Sequence, residues 1–271
     1  MLGGRFSMFG GTPPVVKNLI LINVVMLLAT YVLDLQFNGY ATTHFALFYF
    51  ESPYFKPMQY VTHMFMHGGI THLFFNMFAL WMFGRVLESV WGSKRFFIYY
   101  IITGLGAAAL HTFVNYLHYS HIQSIVTAFS NNPTPDLFES ILRNDFFKTV
   151  SPDFIQSWTN NPGDTSYAHA AVNKLREEYT YLINIPTVGA SGAIFGVLLA
   201  FGMLFPNTEL MLLFPPIPIK AKWFVTGYGA IELYLGLTQP GSNIAHFAHL
   251  GGMLFGFFLI KYWNSKRTNF Y

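Results

Sequence analysis

The chain has 271 residues, of which 53% are hydrophobic and 10% are charged, and its mean hydropathy is +0.38. Soluble domains carry about 25% charged residues, so this chain has too few charges to cover a water-facing surface, and we expect lipid to cover it. The net charge of +3 argues against a nucleic-acid partner, and the absence of cysteine excludes disulfides, zinc–thiolate sites and cysteine nucleophiles.

Six apolar segments each come close to the roughly 20 residues that cross a bilayer. In chain order they are predicted over residues 16–34, 68–87, 95–115, 188–206, 222–238 and 244–263. The predicted fold class is therefore an all-α polytopic membrane protein with a six-transmembrane-helix bundle, a single membrane domain over residues 1–271. The polar side chains in the predicted spans include His72 and Asn76 in the second and Glu232 in the fifth.

The placement of positive charge predicts the orientation. With six spans and both ends on one side, that side holds ten of the 15 Lys and Arg residues. Inner loops carry the excess of positive charge, so both termini are expected to be cytoplasmic, and a bacterial plasma membrane is the expected location. In this topology His72, Asn76, Ser191 and His249 all lie at a similar depth, toward the outer face.

A serine and a histidine in different predicted spans suggest nucleophilic chemistry. Ser191 opens the fourth span and His249 lies near the start of the sixth. A serine hydroxyl needs a base within hydrogen-bond reach, and neutral imidazole is a suitable base near physiological pH. Apart from Asp34, the last residue of the first span, no Asp lies in a predicted span, so we expect a Ser–His dyad without a third member. Phe195, one turn after Ser191, is the expected stacking partner of His249.

Hydrolysis of a carbonyl compound also needs donors for the oxyanion. His72 and Asn76 are spaced i, i+4 and share one helix face. The N–H of Ser191 lies at a helix N-terminus, where backbone donors are unpaired. These three groups are the expected oxyanion hole.

Small residues predict close contact between the fourth and sixth spans. Gly192 and Gly196 form a Gly-x-x-x-Gly pair, and Ala248, Gly252 and Gly256 form a second small-residue stripe. Such faces allow membrane helices to approach closely, which would bring Ser191 within reach of His249.

The remaining candidates are read as structural. His63 and His67 are expected to anchor a loop by hydrogen bonds, His246 to lie on the surface, and Glu232 to be a buried hydrogen-bonding group that holds the fifth helix. The metalloprotease pattern His-Glu-x-x-His is absent. Neither a metal nor another cofactor is expected.

Residues 115–186 separate the third and fourth predicted spans and are expected to form an extracytoplasmic insertion. Asp136 is the predicted N-cap of a first helix with the apolar residues Leu137, Phe138, Ile141, Leu142 and Phe146 on one face. A second short helix is predicted from Ser151, and a third over residues 168–183. The insertion is either a helical cap beside the site or a spacer without effect on it.

At these motifs the chain resembles the rhomboid family of intramembrane serine proteases. The matching residues are Gly189-Ala190-Ser191-Gly192, Ala248-His249 with Gly252, and His72-x-x-x-Asn76 preceded by His63 and His67. The resemblance implies cleavage of single-span membrane-protein substrates by a Ser191–His249 dyad, with Phe195, Gly189, Gly192, Gly252 and His67 in support. It also implies a water-filled cavity and a mobile fifth helix. The Trp-Arg pair of the first outer loop is missing, since Phe55-Lys56 stands there, and the insertion is longer than usual for the family.

Two other functions compete with proteolysis. A membrane chaperone or adaptor on the same scaffold would bind transmembrane helices, but such relatives commonly lack the serine or the histidine. A transporter would agree with Glu232 and the histidines in the spans. However, transporters usually show internal repeats, and the sequence contains no such symmetry.

Overall fold

The computed structural model describes residues 11–143, 151–211, 216–239 and 245–265, and these residues are mostly helical. The helices are α1 (Pro14–Gln36), α2 (Tyr40–Phe45), α3 (Gln59–Thr62), α4 (Ile70–Ala79), α5 (Arg85–Trp91), α6 (Ser93–Asn131), α7 (Pro135–Leu142), α8 (Pro152–Asn160), α9 (Thr165–Ile183), α10 (Ser191–Leu204), α11 (Ala221–Thr238) and α12 (His246–Ser265). One antiparallel pair of short strands, β1 (Glu209–Met211) and β2 (Pro218–Lys220), connects α10 to α11. The predicted all-α class is confirmed.

Among the described residues, three helical stretches are long and apolar enough to cross a membrane, namely Pro14–Gln36, Ile70–Trp91 and Ser93–Asn131. They correspond to the first three predicted spans. The fourth corresponds to α10, which has only 14 residues and a length of about 21 Å. That is shorter than the ~30 Å hydrocarbon core. The fifth and sixth correspond to α11 and α12, and the count of six spans stays a prediction.

The second stretch is continuous because a π-helical segment, Leu80–Gly84, joins α4 to α5. The first two turns of α4 carry His72 and Asn76. Gly84 lies where the stretch crosses its neighbours, since a Cβ there would come within 3.1 Å of both Val16 and Phe96.

The outer faces of the long helices are apolar. On α1, Leu21, Val25, Leu28 and Val32 are all more than half exposed. A contiguous apolar face of this size is unstable in water and is typical of contact with lipid.

The chain divides into two compact units. The first contains Met1–Leu47, Lys56–His111 and Pro186–Tyr271, and the second contains Phe48–Phe55 and Thr112–Ile185. The core of the first unit is formed by apolar residues of α1, α4, α5, α10, α11 and α12, together with the first part of α6. The boundary between the units falls within α6.

The second unit has a core of its own. Its buried residues are Ile122, Val126, Phe129, Phe138, Ile141, Trp158, Ala171 and Leu175. The insertion therefore contains packed helices, as predicted. The bounds 115–186 stay a prediction, since α6 runs through residue 115 to Asn131 while the main segment of the second unit is Thr112–Ile185.

The caps of the insertion helices agree only partly with the prediction. The N-cap of α7 is Thr134, whose hydroxyl accepts from the Leu137 N–H at 3.3 Å, so the prediction of Asp136 was wrong. Ser151 caps α8 as predicted, and α9 starts at Thr165, slightly before the predicted residue 168. Phe146 lies outside the described residues. The place of the insertion as a cap over the site stays a prediction.

One buried carboxylate fixes the start of α1. Glu88 of α5 is 2% exposed, and its two oxygens accept hydrogen bonds from the N–H groups of Val15 and Val16 at 3.0 and 2.8 Å. The Ser93 hydroxyl donates to the same carboxylate at 2.7 Å. A negative charge at a helix N-terminus pairs with unpaired N–H groups and with the helix dipole.

We predict that Glu88→Gln destabilises the first unit. The neutral amide weakens two charge-assisted hydrogen bonds, each worth about 1.5–3 kcal/mol. The expected result is a lower midpoint of thermal unfolding for the purified protein in detergent. Glu139→Gln is the matched control, because Glu139 pairs with Arg143 on an exposed surface, where such pairs contribute little. Equal midpoints for the two variants would contradict the prediction.

Candidate active site

A tightly held loop leads into α10. The N–H of Gly189 donates to the carbonyl oxygen of His63 at 3.0 Å, and Thr187 and Leu47 exchange two backbone hydrogen bonds. Gly189 has a φ of +130°, a conformation that side chains rarely adopt. A Cβ at this position would also come within 2.9 Å of the His72 ring. The loop therefore brings the start of α10 close to α4.

Ser191 is the first residue of α10, and His249 lies on the first turn of α12. The Nε2 atom of His249 lies 2.9 Å from the Oγ atom of Ser191. The predicted approach of serine and histidine is therefore present in the structure.

Glycine contacts between α10 and α12 make this approach possible. A Cβ on Gly252 would overlap the carbonyl group of Gly192, and a Cβ on Gly192 would overlap Ala107 of α6. The predicted contact between the two small-residue faces is confirmed at Gly192 and Gly252.

The other glycines of these stripes have a different neighbour. Gly196 packs against Thr103 and Gly256 packs against Tyr99, both on α6. The Tyr99 hydroxyl donates to the Gly196 carbonyl at 2.8 Å. Each stripe therefore serves two contacts, one between α10 and α12 and one with α6.

The ring of His249 is held by aromatic stacking. Phe195 lies parallel to it, with an angle of 4° between the planes and 4.1 Å between the centroids. This is the stacking that we expected from the spacing of Phe195 and Ser191. Tyr228 of α11 stacks on the other face of Phe195 at 5.1 Å, a partner that sequence reasoning missed.

An acidic residue contacts His249, contrary to expectation. Glu232 of α11 is 6% exposed, and its Oε2 atom lies 2.9 Å from Nδ1 of His249. The prediction that no third polar group accompanies the pair was therefore wrong. It failed because Glu232 belongs to a different helix and is far from both residues in sequence.

The same carboxylate oxygen has a second histidine partner. Nδ1 of His246 lies 2.6 Å from Oε2 of Glu232, and His246 is 4% exposed. The prediction that His246 lies on the surface was wrong, whereas the prediction of Glu232 as a buried hydrogen-bonding group is confirmed. One carboxylate oxygen of Glu232 and one ring nitrogen each of His246 and His249 lie within 4.8 Å of one another. This spacing would also allow the three atoms to bind a metal ion.

Two polar side chains of α4 are the candidates that the sequence predicts for the oxyanion hole. The Nδ1 atom of His72 faces the N–H of Gly68 at 3.4 Å. If Nδ1 accepts this hydrogen bond, Nε2 carries the proton of the neutral ring. Nε2 lies beside the loop before Ser191, because a Cβ built on Gly189 would be 3.1 Å from it. The side-chain nitrogen of Asn76 is buried and has no hydrogen-bond partner among the described residues, so it is available to a bound group.

His63 and His67 are both buried, but their environments differ. His63 fixes the loop through its carbonyl oxygen, while its own Nδ1 contacts the carbonyl oxygen of Gln59 at 2.8 Å. Neither ring nitrogen of His67 has a hydrogen-bond partner in the described part of the chain, and its ring meets that of His72 edge-on. The anchoring role predicted for both residues therefore holds for His63 alone.

Comparisons with known proteins agree with the sequence motifs. A family model described as Rhomboid domain matches residues 54–128 and 164–265. The first matched range includes His72 and Asn76, and the second includes Ser191, Glu232 and His249. Residues 129–163, in the middle of the insertion, lie outside the match.

Three curated proteins show local similarity. Presenilin-associated rhomboid-like protein A, mitochondrial, of Danio rerio is 26% identical over 199 residues, which cover 73% of this chain and 35% of that protein. Rhomboid protein 1, mitochondrial, of Saccharomyces cerevisiae is 37% identical over 71 residues, which cover 26% of this chain and 20% of that protein. Rhomboid protease GluP of Bacillus subtilis is 40% identical over 57 residues, which cover 21% of this chain and 11% of that protein. The chain thus spans about a third or less of each relative.

We predict that Gly252→Ala disrupts the contact between α10 and α12, because the added methyl group meets a backbone carbonyl that cannot move aside. Overpacking of this kind costs about 1–3 kcal/mol. Thermal unfolding in detergent should show a lower midpoint. The control is Gly227→Ala on α11, where a Cβ has no neighbour within 4 Å and the better helix propensity of alanine favours the fold. A Gly252→Ala variant as stable as this control would contradict the prediction.

Proposed function

This chain belongs to the rhomboid family, and from that premise we propose that it is an intramembrane serine endopeptidase. It would hydrolyse peptide bonds in or near the transmembrane segments of membrane-protein substrates. The observation that supports this most directly is the 2.9 Å contact between Ser191 Oγ and His249 Nε2. An adaptor that only binds helices would not need this arrangement.

In the proposed reaction, Ser191 Oγ attacks the carbonyl carbon of the scissile bond. The hydroxyl proton passes to Nε2 of His249 as the new C–O bond forms, and the carbonyl oxygen becomes negative. His249 then gives the proton to the leaving nitrogen as the C–N bond breaks. Water repeats the sequence on the acyl-enzyme and regenerates Ser191.

The oxyanion is assigned to three donors. They are the backbone N–H of Ser191 at the start of α10, Nε2–H of His72 and the side-chain amide of Asn76. Helix N-termini favour negative charge. The amide of Asn76 suits this role because its nitrogen is buried and has no hydrogen-bond partner among the described residues.

The short α10 supports access of water at membrane depth. A helix of about 21 Å leaves part of the hydrocarbon thickness unspanned, and irregular backbone is tolerated there only beside protein or water. Substrates are proposed to be single-span membrane proteins with a small residue before the scissile bond and helix-weakening residues after it. A regular helix engages its own carbonyl groups, so local unwinding must precede attack.

The protein is a multi-pass membrane protein. We further propose that its Lys- and Arg-rich loops lie on the inner side of the membrane, with both termini there and the site toward the outer face. The expectation of a bacterial plasma membrane is not supported, because two of the three relatives have mitochondrial names. The one bacterial relative aligns with only 57 residues of this chain and does not establish the location.

We predict that Ser191→Ala and His249→Ala each abolish cleavage of a model transmembrane substrate by the purified protein in detergent. The wild type should also be labelled at Ser191 by a fluorophosphonate, and the histidine variant should not. Ser89→Ala and His121→Ala are matched controls, because both positions are exposed and lie outside the site.

The outcome against proteolysis is equally specific. If the wild type neither cleaves several substrates nor reacts with the fluorophosphonate, the proposed activity is wrong. A folded wild type that then binds a transmembrane peptide without cleaving it would support the adaptor function.

We predict that Asn76→Ala lowers kcat about 10²–10³-fold with little change in KM, since loss of one oxyanion donor costs roughly 2.7–4 kcal/mol in the transition state. The control is Asn23→Ala. Asn23 is also fully buried, and its amide donates to the carbonyl of Leu19 within α1, so it should affect stability but not kcat. A similar kcat for the Asn76→Ala variant and the wild type would refute the assignment.

A further inference from the structure

The position of His249 between two polar groups determines its tautomer. Its Nε2 faces the Ser191 hydroxyl at 2.9 Å and its Nδ1 faces Glu232 Oε2 at 2.9 Å. A carboxylate has no proton to donate, so an unprotonated Nδ1 would set a lone pair against a negative oxygen. Electrostatics therefore favour the proton on Nδ1, which leaves Nε2 free to accept the proton of Ser191.

The carboxylate itself is held in place by a second histidine. Nδ1 of His246 lies 2.6 Å from Oε2 of Glu232, and all three side chains are buried. Because an ionised carboxylate can only accept, Nδ1 of His246 is the donor in this contact. A buried carboxylate is strongly unfavourable unless it is paired and hydrogen-bonded. His246 supplies the hydrogen bond.

The contact with His249 differs from the contact with His246. It has ion-pair distance, but its geometry is not that of a full hydrogen bond. An electrostatic attraction does not require a straight N–H···O line, and it strengthens when the imidazole becomes positive. The carboxylate is therefore placed to stabilise the positive charge that His249 acquires when it accepts the proton of Ser191.

We propose that Glu232 is a positioning residue for His249, so that the site is a Ser191–His249–Glu232 arrangement and not the dyad expected from the sequence. His246 is the group that orients the carboxylate. This inference rests on the proposed proteolytic function.

The role of Glu232 follows from the proton movements. When Ser191 attacks, its proton moves to Nε2 of His249 and the ring then carries protons on both nitrogens. Nδ1–H remains on the ring and faces Oε2 of Glu232, which stays ionised. When Nε2–H passes to the leaving nitrogen, the ring returns to its neutral, Nδ1-protonated form, ready for the attack by water.

The decisive variant is Glu232→Gln, which keeps the size of the side chain and removes its charge. We expect kcat to fall at least tenfold, equivalent to about 1.4 kcal/mol in the transition state, with KM changed less than twofold. Labelling of Ser191 by a fluorophosphonate should slow by a similar factor. This small reagent reports activation of the serine without requiring entry of a transmembrane helix.

A matched control separates positioning from mere stability. Glu88→Gln removes the charge of another buried carboxylate in the same unit. Glu88 accepts hydrogen bonds from the start of α1 and none from Ser191 or His249 among the described contacts. The substitution should lower the unfolding midpoint while the folded protein keeps the kcat and labelling rate of the wild type. If Glu232→Gln behaved in the same way, Glu232 would serve only to hold α11, and the proposal would be wrong.

A second measurement uses the wild type, in case Glu232→Gln does not fold. Histidine labelled with ¹⁵N is observed by NMR in detergent, and His249→Ala identifies the signals of His249. We expect neutral His249 to carry its proton on Nδ1, and a predominantly Nε2-protonated ring would overturn the proposal. This readout requires no cleavage, so a failure of the proteolytic function is distinguishable from a failure of the Glu232 assignment.

A chelator control tests whether Glu232, His246 and His249 bind a metal ion instead. We expect wild-type activity to be unchanged after exhaustive treatment with EDTA. Loss of activity on chelation, restored by zinc, would mean that Glu232, His246 and His249 hold a metal ion, and the proposal would be wrong.

Discussion

The backbone contact between α10 and α12 at Gly192 and Gly252 is the constraint on which the candidate site depends. A side chain at Gly252 would push α12 away from the carbonyl group of Gly192, and a side chain at Gly192 would push α10 away from α6. The serine and histidine lie on the first turns of α10 and α12. Because a hydrogen bond weakens steeply with distance and angle, a small separation would leave Ser191 without its base. The same stripes pack against α6 through Gly196 and Gly256, so the geometry of the site depends on three helices.

A buried charge is the second determinant of the site. Glu232 enters the protein interior from α11 and meets two imidazoles of α12. Phe195 stacks on the ring of His249, and Tyr228 stacks on Phe195. Within a poorly polarisable interior, a carboxylate such as Glu232 has a large effect on neighbouring charges. Its location on α11 means that the position of this helix is coupled to the orientation of His249.

The insertion is organised as a second small helical unit with its own apolar core. The residues of that core come from the last part of α6 and from α7, α8 and α9. Such a unit needs an interior because short helices are marginally stable alone. The 129–163 gap in the family match lies within it, so this part distinguishes the chain from the family pattern.

Many features of the molecule could be predicted from the sequence, because they depend on residues that are close together in the chain. Apolar length indicated the membrane helices, and the spacing of Ser191 and Phe195 predicted that Phe195 stacks on the base. The i, i+4 spacing of His72 and Asn76 placed two donors on one face of a helix. Small-residue spacing also predicted the contact of Gly192 with Gly252.

Only the tertiary structure decided the partners of the polar side chains. Glu232 and His246 lie on different helices, and their contact depends on how those helices are rotated and shifted against each other, which no periodicity records. The same reason explains why His246 is buried and why Gly196 faces α6. It also explains why α6 continues past the predicted end of the third span to Asn131, since the last part of this helix contributes to the core of the second unit.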